Sequence, residues 1–218
     1  ADQTQAVVES LYLDYLEVLN THFEQYPYLL GWRPSIGDFG LIAPMYAHLG
    51  RDPHPAKLMQ QRAVSVHRWV ERMNRYDQDV PEFFNASTDF FEDDEVPQSL
   101  MAVLRILAED FVPETLAAAD LINGWLAENT PETGAPAVGR LAQAPGAASF
   151  VLRGETIEAL AQPHRFYLLQ RVQDDYASLS KKEKAGVDAV LAESGMAAIL
   201  EASLSRRIER ADNLEVWA

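Results

Sequence analysis

The chain has 218 residues, 48% of them hydrophobic, enough to bury a full core in one large or two small domains. Eighteen Lys and Arg against 33 Asp and Glu leave a net charge of −15, which opposes binding to a phosphate backbone or an anionic lipid surface. With no cysteine there is no disulfide framework, no thiolate metal site and no cysteine nucleophile.

These numbers point away from nucleic acid and membrane as partners and toward a cytoplasmic protein. No stretch approaches the ~18 consecutive apolar residues of a membrane span, and residues 1–5 lack the basic start and apolar run of a signal peptide. An amphipathic pattern begins within a few residues of Ala1, so the chain reads as cut from a longer one, although removal of an initiator methionine gives the same start.

In residues 5–25, Val8, Leu11, Tyr15, Leu19 and Phe23 recur three or four apart, the spacing of one helix face. Pro27 and Gly31 end that helix. Ser35-Ile36-Gly37-Asp38 then predicts a capping box, with the Ser35 hydroxyl accepting from the amide of Asp38 and the Asp38 carboxylate reaching back to the amide of Ser35. A second helix is expected from there to about Leu49, buried through Phe39, Ile42, Tyr46 and Leu49. After the proline turn at 51–55, a third helix is expected over about 56–76 on Leu58, Val66, Trp69, Val70 and Met73.

Residues 78–97 are acidic and aperiodic, a loop or connector. Helical periodicity returns at 98–129, where Pro113 is expected to bend or split the run. Residues 150–157 read either as a small hairpin or as extended chain. Helices follow over 163–179, from Ser180 as a cap to Leu191, and from about Met196 to Arg210. The predicted architecture is all-α, organised as a helical core at 1–78, an acidic connector at 79–97 and a helical extension at 98–218 packed on the core.

The stretch Gly31-Trp32-Arg33-Pro34-Ser35-Ile36-Gly37-Asp38-Phe39 resembles the signature of the glutathione S-transferase C-terminal domain, with Gly31, Pro34, Ser35, Asp38 and Phe39 filling its fixed positions. Tyr46-Ala47-His48-Leu49, Arg51-Asp52-Pro53 and Trp69-Val70-Glu71-Arg72-Met73 look like a bacterial group of such proteins, and Val96-Pro97 and the run from Pro163 to Arg171 extend the likeness along the chain. The resemblance implies the family's all-helical bundle with a helical C-terminal extension. It implies attack of a glutathione thiolate on a small hydrophobic electrophile, with glutathione as cosubstrate bound and activated by a thioredoxin-like domain in cis. That domain's βαβ pattern and thiol-activating residue are not in this sequence, so the chain alone is expected to be inactive, with no catalytic or cofactor-binding residue to assign. A homodimer is compatible with the kinship. The alternative is a stand-alone, non-catalytic helical binding or interaction module.

Individual residues have plainer readings beside the sharper ones. Gly31, Ser35 and Asp38 fit a structural helix cap better than a catalytic dyad. Tyr12, Tyr15, Trp32 and Tyr46 are the candidate substrate-pocket residues, against a default of core packing. His22, His48, His54, His67 and His164 match no metal template, and Glu92-Asp93-Asp94-Glu95 lacks the alternation and glycine of a calcium loop, so no metal is expected. Arg33, Arg165 and Arg171 either meet a carboxylate or neutralise the acidic surface.

Overall fold

The computed structural model describes residues 2–75, 83, 87–138 and 145–218. The order is α1 (Asp2–Phe23), α2 (Ile36–Pro44), a π-helical turn (Met45–Leu49), α3 (Pro53–Arg62), α4 (Val64–Met73) and α5 (Gln98–Asn129). There follow β1 (Ala147–Leu152), β2 (Glu155–Leu160), α6 (Pro163–Ser178), α7 (Lys181–Ser194), β3 (Ile208–Ala211) and β4 (Leu214–Trp217). Short 3-10 turns lie at Glu92–Asp94 and Ala197–Leu200. The chain forms two compact units, Val8–Ile106 and Ala1–Val7 with Leu107–Ala218.

The all-α expectation is overturned: the protein is mostly helical but carries two antiparallel two-stranded sheets. Both are hairpins closed by two residues in left-handed backbone, Arg153 (φ 51) with Gly154 (φ 88) and Asp212 (φ 49) with Asn213 (φ 62). Positive φ at both central positions is the turn whose twist matches that of the flanking strands. The second hairpin replaces the end of the helix expected over 196–210. Its β4 also pairs outward, since Gly134 N donates to Trp217 O (2.8 Å), Trp217 N to Ala135 O (2.9 Å) and Ala137 N to Glu215 O (2.8 Å).

The helix expected over 56–76 is two helices, because Ala63 leaves helical backbone at φ −142, ψ 65. Conversely, α5 runs unbroken through Pro113. Ser180 caps α7 as expected: its hydroxyl accepts from Glu183 N and its amide donates to Glu183 Oε2 at 2.7 Å. Of the acidic connector, residues 79–82 and 84–86 lie outside the described residues.

The core of the unit Val8–Ile106 gathers Leu16, Leu19 and Phe23 of α1 with Met45, Met59, Val66, Trp69, Leu100 and Val103. Phe23 stacks on Trp69, the ring centroids 5.0 Å apart and the planes 9° from parallel. The second unit is built on Ile122 and Leu126 of α5, Phe166 and Leu169 of α6, and Ile208 and Trp217 of the second hairpin. Trp125 stacks on Trp217 at 6.1 Å.

Candidate functional site

The densest polar constellation in the unit Val8–Ile106 centres on Asp38, three residues into the cap of α2 and 0% exposed. Its carboxylate takes four donors. Oδ2 accepts from Ser35 N (2.9 Å) and from the Ser35 hydroxyl (2.8 Å), and Oδ1 accepts from Leu29 N (3.1 Å) and Trp69 Nε1 (3.0 Å). The reciprocal capping-box arrangement is present. The direct hydrogen bond of the hydroxyl, however, is the one it donates to the carboxylate. Asp38 thus does more than cap: it ties the turn before α2 to the tryptophan at the centre of the core. A carboxylate with both oxygens filled by protein donors has no lone pair aimed at a reacting molecule, which assigns Ser35 and Asp38 to folding.

Two further buried side chains hold the same turn. His22 accepts from the Ser99 hydroxyl at Nδ1 (2.9 Å) and donates from Nε2 to Tyr28 O (3.2 Å), the tautomer that a carbonyl at Nε2 requires. Burial pushes the His22 pKa down, partly opposed by its bond to Tyr28 O and by the charge of Asp38. Arg72 donates to Pro27 O at 2.9 Å, and its guanidinium lies over the Tyr28 ring, 5.6 Å from the centroid. Gly31, at φ 112, completes the turn: a Cβ there would sit 3.1 Å from Phe91 N, where the chain returns to give Phe91 N→Leu30 O and Trp32 N→Asp89 O, each 3.1 Å.

From this rigid base α2 projects an uncovered apolar surface. Ile36 is 91% exposed, Phe39 62% and Tyr46 41%, and Gly37, Gly40, Ala43 and Ala47 beside them are exposed as well. Of the four residues expected to bury this helix, Ile42 and Leu49 pack partly buried against the core, whereas Phe39 and Tyr46 are exposed and Asp38 and Met45 are buried in their place. An apolar helix with its flat, small-residue side in water is a surface of the kind that partners cover.

Cations stand at both ends. Arg33 lies over the Phe90 ring (5.2 Å) and Arg51 over the Tyr46 ring (5.6 Å). Between residues 26 and 75 the sequence carries seven Arg and Lys against three Asp and Glu, in a chain whose net charge is −15. This segregation is visible in the sequence once charge is counted by segment rather than over the whole chain.

The four candidate pocket residues are placed apart in role. Tyr12 donates to Pro55 O at 3.2 Å, and burial pushes its pKa up to about 12. Tyr15 packs against the core beside it, its pKa also raised by burial. Trp32 meets Tyr26 and Phe83 edge-on at 6.1 and 6.0 Å. Tyr46 sits on the π-helical turn, whose closure needs Gly50, since a Cβ there would meet Met45 O at 2.6 Å. No ring contact joins any of the four to another among the described residues.

In the second unit a cavity of about 80 Å³ is lined by Phe166, Gln170, Gln173, Ala202, Arg206 and Arg207. Its polar side chains are engaged by the protein itself: Gln173 Nε2 donates to Ile199 O (3.0 Å) and Ala202 O (2.9 Å), and Arg207 grips Asp174 at 2.6 Å. Arg165 pairs with Glu114 at 2.5 Å and donates to Thr115 Oγ1 at 3.0 Å. Arg171 lies over the Tyr167 ring at 4.0 Å. Among the described residues no three His, Asp or Glu side chains converge as metal ligands, and no helix is long and apolar enough to cross a membrane. Compared with the models of known families, with curated proteins and with solved structures, the chain matches none.

Proposed function

We propose that this chain, mostly helical with two small hairpins, is the C-terminal part of a glutathione S-transferase-like protein and supplies scaffold and one apolar wall of the site where an electrophile meets a glutathione thiolate. The observation that carries the reading is the α2 surface: Ile36 and Phe39 are 91% and 62% exposed on a helix anchored through Asp38 to the core. A helix fixed this firmly while offering apolar side chains to water is built to be covered, and the resemblance around Gly31–Phe39 names a thioredoxin-like domain as the cover. In the reaction, the thiolate sulfur forms a bond to an electrophilic carbon and the leaving group departs with the bonding pair. Holding glutathione and lowering the pKa of its thiol fall to the thioredoxin-like domain, and no residue of this chain is given either role.

On this reading the purified 218-residue chain neither conjugates chlorodinitrobenzene to glutathione nor is retained on immobilised glutathione. Conjugation by the chain alone would refute it. The same uncovered face also suits a non-catalytic interaction module; that reading gains if the chain acts in its natural setting with no thioredoxin-like domain attached.

A further inference from the structure

We infer that the outer edge of β1 is where a second copy of this chain adds, joining the two-stranded β1–β2 sheets of two molecules into one continuous antiparallel sheet across a two-fold axis at Ser149. This inference is independent of the transferase reading.

Leu152 pairs with Glu155 across the two-residue turn, and such a turn-closing pair exchanges both of its backbone hydrogen bonds. Bonded and non-bonded pairs alternate from there, so Phe150 and Ala148 direct their N–H and C=O groups at β2. Gly146 does the same, its carbonyl accepting from Ala161 N at 3.0 Å. Ala147, Ser149 and Val151 must therefore direct theirs away from β2. Among the described residues these three have no backbone partner on that side. Their side chains lie on the exposed face of the strand, Val151 at 61%, while Ala148, Phe150 and Leu152 are buried.

An open strand edge templates another strand unless charge, proline, a bulge or a cover blunts it. The outer edge of β2 has such a guard in Glu158, between Thr156 and Leu160. Among the described residues β1 has none: its outward residues are neutral, and it contains no proline. In a chain of net charge −15 a neutral strand lets two copies meet without setting like charges against each other. The register is self-complementary. With the axis at Ser149, that residue faces its own copy and Ala147 faces the copy's Val151, so each outward N–H meets an outward C=O and an apolar pair lies on either side. Pairing through β2 would instead set Glu158 against Glu158, a like-charge contact.

The test is sedimentation velocity of the full 218-residue chain from micromolar to sub-millimolar concentration, read beside amide hydrogen exchange. The expected result is a monomer–dimer equilibrium in which the Ser149 and Val151 amides gain protection as concentration rises, while the inward Phe150 amide is protected throughout. Ser149→Glu and Ser149→Pro each alter only an outward position, so they leave the hairpin's own ladder intact, checked by circular dichroism. Both should weaken association by more than about tenfold, whereas Thr156→Glu on the other edge leaves it unchanged. A monomer at every concentration overturns the inference, as does a dimer that survives Ser149→Glu with exchange at Ser149 unaltered.

Discussion

Replacing Asp38 by Asn keeps the shape of the side chain and removes half of its accepting capacity. Whichever side of the new amide keeps the oxygen, two of the four donors, either Ser35 N and Oγ or Leu29 N and Trp69 Nε1, are left facing an NH₂ group. A hydrogen bond to a charged group is worth ~1.5–3 kcal/mol, so the gross loss is about 3–6 kcal/mol. Relief from burying a charge at a site that is 0% exposed returns part of this. We expect a net destabilisation of about 3 kcal/mol, a large fraction of the ~5–15 kcal/mol that holds a domain together. Urea unfolding followed by tryptophan fluorescence reports it directly, because Trp69 is both buried and bonded to the altered group. The midpoint should fall sharply. A loss under about 1 kcal/mol would mean that the carboxylate is not what fixes the turn, and the structural assignment of Ser35 and Asp38 would fail.

Ser35→Ala, which removes one donor to that carboxylate, should cost about 0.5–2 kcal/mol in the same experiment, and an unchanged melting temperature and folding yield would contradict the cap. Because burial holds the His22 pKa below its unfolded value of about 6.5, the unfolded chain takes up that proton first. Its contribution to stability is therefore complete above pH ~6.5 and declines as the pH falls below it; the decline should be shallower in His22→Gln, and identical pH profiles would count against it. Gly50→Ala should destabilise the unit Val8–Ile106 through collision with Met45 O, measured as a lower melting temperature, whereas Gly40→Ala, which meets nothing within 4 Å, should not. Phe39→Ser, at a 62% exposed position, should change the stability of this chain by no more than about 0.5 kcal/mol; a large loss would show that the α2 face is already covered.

How far the fold was legible differs from element to element, for physical reasons. α1, α6 and α7 were readable because long apolar periodicity and the Ser180 cap agree with one another. The cap at Ser35 was readable as chemistry, but its link to Trp69 was not, since the spacing of cap residues says nothing about a donor 31 residues away. Pro113 is expected to bend or split the run, and α5 is continuous through it. Ala63 breaks the expected third helix although no proline or glycine marks the place, a boundary that local propensity does not reveal. Alanine and leucine around residue 200 suggest helix and hide the β3–β4 hairpin, although Asp212-Asn213 between two short runs is a turn signal. Periodicity identified an apolar face on α2 and carried no information about whether this chain covers it. For the candidate site, the missed signal was the positive surplus in residues 26–75, hidden within a strongly acidic total.

The most direct test of the central claim is to express the natural reading frame around these 218 residues and measure glutathione conjugation before and after Phe39→Asp. The account predicts a frame that encodes a thioredoxin-like βαβ unit, activity in the whole protein, and loss of that activity when the α2 face is charged. A frame without such a unit, or activity indifferent to Phe39→Asp, would contradict it.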